Sequence, residues 1–309
     1  MKRVLLISDY FGSWPPWFQM FLASCARNPS VDWLIHTDCP LPASYPPNVT
    51  IVPITTVDYC QRASDILQVS FRPQAMYGIC NLRPMFGVLN EERIKGYDFF
   101  GWSDLDVVFG DFRSIYDDAT LEHNVVSASA DICTGHLCLI RNEEWLVNAY
   151  QLLGNWRAIL SRDHPYDWPT GLDEAGLSTI FSPSKRVRRQ LSRKLLWRDV
   201  PARYWSNNHF VNQWATVFVP WPWHDGNRHH PEVWYWKDGK LWNDRDGDRQ
   251  YLYLHLMNFK AARFIDKRIY GSAATWESLD SIMNFRWDEV GSRTVRIDRS
   301  GIRLVGDDE

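Results

Sequence analysis

Residues 101–111 read Gly-Trp-Ser-Asp-Leu-Asp-Val-Val-Phe-Gly-Asp, and the spacing of Asp104 and Asp106 decides how the chain is read. Tyr97, Phe99 and Phe100, just before them, form a short apolar run with the character of a buried strand. Side chains alternate along a strand, so positions 104 and 106 are expected on one face and Leu105 on the other. Two carboxylates side by side where a strand leaves the core repel each other unless a cation neutralises them. Hard oxygen ligands suit Mg²⁺ or Mn²⁺, ions that often sit between a carboxylate and a diphosphate. The competing explanation is a turn in which the aspartates cap a helix beginning near Asp111.

Working outward, the N-terminal half alternates strand and helix signals. Strands are expected at Arg3–Ser8, Asp32–His36 and Thr50–Ile54, with helices near Trp17–Ala26 and Val57–Val69. A longer helix is expected within Gln74–Arg93, interrupted at Pro84. This βαβ rhythm argues for a doubly wound, mostly parallel sheet. Ligands of such sheets lie beyond the carboxyl ends of the strands, where Asp9–Trp14 and Asp104–Asp106 would meet. Further strands are expected at Asn124–Ala128 and Ile132–Ile140, then a helix from about Glu143 to Leu160 and a short one opening at Leu172. The C-terminal part reads as β-rich, with strands at Thr216–Pro220 and Tyr251–Met257 and hairpins around Asp238-Gly239 and Arg299-Ser300-Gly301. No internal repeat or low-complexity linker interrupts the chain. A single domain is expected over residues 1–309, with the strand–helix alternation in 1–145 and the more β-rich part in 146–309.

Composition narrows the function classes. A chain of 309 residues buries a substantial core, and a formal charge of −3 gives no electrostatic case for nucleic acid. No apolar stretch approaches the roughly 20 residues that span a bilayer. The opening Met-Lys-Arg-Val-Leu-Leu-Ile-Ser-Asp reads as a first strand and not as a signal peptide. The six cysteines contain no Cys-x-x-Cys pair and sit mostly among apolar residues, so free buried thiols in a reducing cytoplasm are expected, and no zinc site. No Gly-x-Gly-x-x-Gly follows the first strand, and neither a Walker loop nor a Gly-x-Ser-x-Gly elbow occurs. The histidine-rich loop Trp223–His230 matches no zinc spacing. Eight of the seventeen tryptophans crowd between Trp197 and Trp242. Aromatic faces stack on the C–H faces of sugars; most of these residues are expected in the core, and one or two at a carbohydrate contact.

The stretch Tyr-Asp-Phe-Phe-Gly-Trp-Ser-Asp-Leu-Asp-Val-Val-Phe-Gly-Asp resembles the central motif of a bacterial family of GT-A-type glycosyltransferases associated with capsule and surface-polysaccharide synthesis. Tyr10-Phe11-Gly12-Ser13-Trp14-Pro15-Pro16-Trp17-Phe18, Asp32–Cys39 and Tyr77–Gly87 carry the same resemblance, which runs through about residue 145. The family pattern has Asp and Lys where this chain has Asn81 and Arg83. The resemblance implies a GT-A-like α/β fold with a mostly parallel central sheet flanked by helices. It also implies a nucleoside-diphosphate sugar as donor and Mn²⁺ or Mg²⁺ as cofactor.

On that resemblance, Asp106 would bind the metal directly, and Asp104 would reach the metal or the ribose hydroxyls. His255 is the expected third ligand. In Tyr251-Leu-Tyr-Leu-His-Leu-Met257 it shares the more polar face, while Leu252, Leu254 and Leu256 occupy the other. The alternative is a half-buried structural histidine. Lys260 would hold the diphosphate as a point charge. Tyr10, Phe11 and Gly12 would wrap the base, and Thr37 and Asp38 would read base or ribose. Arg83 would meet the phosphates or the sugar, and His136 would line the donor sugar. Asp173 and Glu174 are the candidates on the acceptor side, where a carboxylate deprotonates the acceptor hydroxyl; the alternative is an acidic first helical turn, which the helix dipole favours without catalysis.

The run 185–198 holds seven basic residues in fourteen, with Val187, Leu191 and Leu195 at helical spacing. It would rest on an anionic inner leaflet near a lipid-linked acceptor, or be a solvated basic helix. The sequence therefore points to a metal-dependent glycosyltransferase, cytoplasmic or peripheral at the inner membrane face, acting on a glycan or lipid-linked acceptor. A metal-dependent nucleotidyltransferase and a glycan-binding scaffold on a degenerate transferase fold are the rival readings.

Overall fold

The structure is a computed structural model that describes residues 1–162, 171–195, 200–257, 281–282 and 285–306. The first half lays down β1 (Val4–Asp9), α1 (Phe18–Ala26), β2 (Val31–Thr37), β3 (Val49–Pro53), α2 (Thr56–Leu67), β4 (Phe99–Ser103), β5 (Val107–Phe109), β6 (Val125–Ser127) and β7 (Leu137–Arg141). The second half adds α3 (Lys185–Leu195), β8 (Asn208–Phe210), β9 (Trp234–Lys237), β10 (Lys240–Asn243) and β11 (Tyr253–His255). Three strands follow at the end: β12 (Ser281–Ile282), β13 (Thr294–Asp298) and β14 (Gly301–Val305).

A seven-stranded, mostly parallel sheet in the order β3-β2-β1-β4-β7-β6-β8 forms the centre of the fold. Only β7 runs against its neighbours β4 and β6. Helices flank the sheet, and a largely antiparallel sheet in the order β10-β9-β13-β14-β12 makes the C-terminal part β-rich. The alternation of β1 and β4 explains why both are apolar until their last residues. Leu5, Ile7, Phe100 and Trp102 enter the core on one face, and Val4, Leu6 and Phe99 enter the core on the other. Strand β4 also needs Gly101, where a Cβ would lie 2.1 Å from the Cys138 carbonyl oxygen. Glycine lets β4 and β7 close.

Chain order sets the position of the site. From β1 the chain steps to β2 and β3 on one side, then returns to place β4 on the other side of β1. The crevice beyond the carboxyl ends of β1 and β4 is therefore a topological switch point. The short β5 leaves the main sheet and pairs with β11, with His255 opposite Val107.

Several elements differ from the sequence expectation for local physical reasons. The long helix expected within Gln74–Arg93 is a 3₁₀ stretch, Met76–Met85, followed by two short helices, Phe86–Leu89 and Glu91–Ile94. Pro84 supplies no N–H to an α-helical ladder, and the tighter winding carries the chain past it. The helix expected over Glu143–Leu160 is broken into three short pieces, with Gly154 in the last break. The expected strand Thr216–Pro220 is reduced to a single bridge between Thr216 and His255. There Phe218 turns to φ 63° and Pro220 cannot join a ladder. Both terminal hairpins form.

Candidate functional site

The carboxyl ends of β1 and β4 open onto a cavity of about 390 Å³. Tyr10 and Phe11 line it from the loop after β1, Arg83 and Tyr77 from the 3₁₀ stretch, and Asp104 and Asp106 from the segment after β4. The strand ends at Ser103 and β5 begins at Val107, so Asp104, Leu105 and Asp106 form the connection between them, with Leu105 and Asp106 in a turn. Strand alternation is thus not what brings the two aspartates together. The turn does so, held from the α1 side by Trp17, whose indole N–H donates to the Leu105 carbonyl at 2.9 Å. Helix capping near residue 111 is the work of Asp111 itself, which accepts from the Arg113 and Ser114 amides.

His255 reaches this turn through the register of β11 on β5. The Leu256 amide donates to the Asp106 carbonyl at 2.7 Å, and His255 Nε2 lies 3.3 Å from Asp106 Oδ2. Ligand atoms of Asp104, Asp106 and His255 all fall within 4.8 Å of one another. Asp106 is 3 % and His255 6 % exposed. The expected division of β11 into a polar and an apolar face does not hold, because residues 251–256 are all buried between two cores. His255 Nδ1 sits 3.1 Å from Thr216 Oγ1, which fixes the ring with Nε2 toward the carboxylates. Two carboxylates and an oriented imidazole fit a divalent cation such as Mn²⁺ or Mg²⁺. His136 stacks on His255 at 4.2 Å between ring centroids, and its Nε2 is 2.6 Å from the Tyr253 hydroxyl.

Arg83 joins Asp104 to the second carboxylate pair, Asp173 and Glu174. Its guanidinium donates to Asp104 Oδ1 and, at 3.2 Å, to Asp173 Oδ2. Burial would lower the Arg83 pKa, but Asp104, with Cys80 and Asp173, holds it well above the ordinary value. Asp173 and Glu174 lie in a π-turn, Leu172–Gly176, that opens into the helix Leu177–Phe181. Glu174 Oε1 accepts from the Gly135 amide at 2.7 Å. A Cβ at Gly135 would lie 2.9 Å from that oxygen and 3.0 Å from Arg83 Nη1, so glycine permits the approach. Burial, and then Asp173, raises the Glu174 pKa. Burial likewise pushes the Cys80 thiol, which lines the cavity, up to about 12; it is not a poised nucleophile.

The remaining residues singled out in the sequence have other surroundings. Thr37 is fully buried and its hydroxyl accepts from the Cys39 amide. Asp38 accepts from the Gly12 amide at 2.6 Å and from the Thr56 hydroxyl at 3.1 Å, which ties the loop after β1 to α2. Phe11 packs its ring on Tyr59. Lys260 lies outside the described residues, as does Trp197. Trp223, Trp234 and Trp236 are core residues, while Trp221 is 48 % exposed. The cysteines are free, all buried except the half-buried Cys80.

Asp9 was not among the residues singled out as binding candidates. It ends β1, lines the cavity, and takes His36 Nδ1 at 2.9 Å and the Tyr59 hydroxyl. The signal was its place at the end of the first strand. Thr216 and Tyr253 carried no local signal, since their partners lie far along the chain. Among the described residues no helix is long and apolar enough to cross a membrane.

Comparison with solved structures returns glycosyltransferases at low similarity. The galactosyltransferase LgtC with donor and acceptor sugar analogs overlaps at a TM-score of 0.34 and 9 % identity, over 70 % of this chain and 76 % of that one. Glycosyltransferase GlyE of Streptococcus pneumoniae TIGR4 overlaps at 0.29 and 11 %, over 68 % of this chain and 54 % of GlyE. Its apo form gives 0.28 and 11 %, over 48 % and 36 %. Overlap at these scores does not define a shared fold. No curated protein matches the chain. A sequence profile of a family of unknown function, DUF6625, matches residues 6–277, from within β1 to beyond His255, and the chain belongs to that family.

Proposed function

We propose that the protein is a metal-dependent glycosyltransferase of GT-A-like architecture, moving a sugar from a nucleoside-diphosphate donor to a glycan or lipid-linked acceptor of a bacterial surface polysaccharide. The observation that carries this reading is the convergence of Asp104, Asp106 and His255 at a cavity on the switch point of a mostly parallel sheet. Asp104, Asp106 and His255 hold the cation, which when bound neutralises the departing diphosphate. Tyr10 and Phe11 wrap the base at the β1 end, with Gly12 and Asp38 shaping the loop. Arg83 offers its planar fork to the donor. His136 borders the donor sugar. Asp173 and Glu174 face the acceptor side, where a carboxylate with a raised pKa holds or takes the acceptor hydroxyl proton. Trp221 offers an exposed aromatic face to an acceptor sugar. On α3, Lys185, Arg186 and Arg189 are exposed beside the helix that follows Asp173 and Glu174, a placement suited to an anionic membrane.

The test is thermal stability with UDP, GDP, CDP and dTDP, each with and without Mn²⁺, followed by transfer from the matching nucleotide sugars. One nucleotide stabilising the wild type only with metal, and sugar leaving that donor, is the expected result. Stabilisation by glycans alone, undiminished in Asp106→Asn, would replace the transferase by a binding module.

A further inference from the structure

Asp104 faces two positive partners. It is one of three groups placed to hold a divalent cation, and it already accepts from the buried guanidinium of Arg83. The Arg83 side chain is 12 % exposed and bridges to Asp173, so it is a fixed positive charge beside the cation site and not a passing surface contact. A positive charge on one oxygen of a ligating carboxylate reduces the negative potential available to a metal, and it repels the metal directly. Arg83 also lines the cavity. The diphosphate of a donor would occupy that cavity, and a phosphate pair matches the two-pronged guanidinium better than a single carboxylate oxygen does.

We propose that Arg83 makes metal loading conditional on the diphosphate. In the free protein the guanidinium engages Asp104 and weakens divalent binding. When a diphosphate enters, Arg83 turns its fork to the phosphate oxygens, and Asp104 is released to the metal while Asp173 keeps the arginine anchored. Arg83 is then a positioning residue, acting on the metal through Asp104. The proposal rests on the transferase reading and adds to it an order of binding in which the anion promotes the metal.

The experiment measures Mn²⁺ binding to the full chain by the electron paramagnetic resonance signal of free Mn²⁺. It uses Mn²⁺ alone, then Mn²⁺ with inorganic pyrophosphate or the stabilising nucleoside diphosphate, corrected for metal held by the anion in buffer. Wild type is expected to bind Mn²⁺ about tenfold more tightly with the diphosphate than without it. Arg83→Met is expected to bind Mn²⁺ alone about tenfold more tightly than wild type, and to lose most of the enhancement by diphosphate. A merely structural arginine predicts the opposite sign, since a loosened site binds metal more weakly. The wild-type arm needs no variant: equal Mn²⁺ affinity with and without diphosphate overturns the proposal. A wild type that binds metal and nucleotide while Arg83→Met binds metal no more tightly also overturns it and leaves the transferase intact. A wild type that binds neither removes both.

Discussion

Asp106→Asn separates a cation site from a structural ion pair by the sign of its effect. Asp106 is 3 % exposed, and its ligand atom lies within 4.8 Å of that of Asp104. Two unit negative charges at that separation repel by about 3.5 kcal/mol at an effective dielectric of about 20. Arg83 on Asp104 and the His255 ring beside Asp106 offset part of this. An amide of the same size removes the repulsion, so the metal-free variant is expected to melt no lower than metal-free wild type and up to about 3 kcal/mol more stably. Metal then shifts the balance toward wild type. A ligand at about 100 times its Kd stabilises by about 2.7 kcal/mol, and at about 2 °C per kcal/mol for a chain of this size wild type should gain about 5 °C. The variant should gain nothing. Scanning calorimetry of both proteins, chelated and then saturated with Mn²⁺ and the nucleoside diphosphate, measures all four values. If Asp106 instead forms a stable carboxylate–imidazolium pair with His255, the chelated variant melts lower than wild type by more than about 2 °C and keeps the metal increment, which would falsify the reasoning.

Two further perturbations test the electrostatics around this site and away from it. Burial and the neighbouring Asp173 raise the Glu174 pKa, so the contribution of Glu174 to stability is fully present below the ordinary carboxyl range and is lost as pH rises through the raised value. Glu174→Gln keeps an acceptor for the Gly135 amide and should be at least as stable as wild type at pH 7, with acceptor transfer lost; a marked drop in its urea midpoint at pH 7 would show that the charged hydrogen bond outweighs burial. Asp298 behaves in the opposite sense. Burial would raise it, but hydrogen bonds from Ser300, Arg296 and Arg303 hold its carboxyl down at about 2. Its contribution is present above the unfolded value and is lost as pH falls through about 2. Asp298→Asn should cost about 2 kcal/mol at pH 7 by urea titration, and the gap to wild type should shrink at pH 2; a pH-independent gap would assign the loss to geometry and not charge.

What the sequence could disclose divides along the distance between partners. Strands β1, β2 and β4 and the two C-terminal hairpins were legible because alternation and turn residues act over a few positions. The helix expected across Gln74–Arg93 was misread because Pro84 could be weighed only as a break, whereas the chain rewinds as 3₁₀ through it. The aspartate pair could be recognised from its residue types, since two carboxylates at the end of a buried strand repel each other unless positive charge sits beside them, whichever local geometry holds them. The identity of their neighbours was less accessible. His255 was singled out on the resemblance and on an alternation that does not hold, and what seats it is the pairing of β11 on β5 and the Leu256 amide on the Asp106 carbonyl. The Arg83–Asp173 and His136–Tyr253 contacts join segments that no pattern in either one connects.

That asymmetry bears on the chemistry. A site whose negative charge sits in one short turn and whose positive charge arrives from a separate element cannot be neutralised until the chain has closed around it. Arg83, fixed to Asp104 and Asp173 once it has, stabilises that closure without metal. The same bond would oppose a cation at the carboxylates, so on the proposed reading the stability of the metal-free site and its affinity for metal pull in opposite directions through one guanidinium. On the proposed function a diphosphate would resolve the conflict, because it would replace the negative charge Arg83 gives up while also adding ligands for the metal.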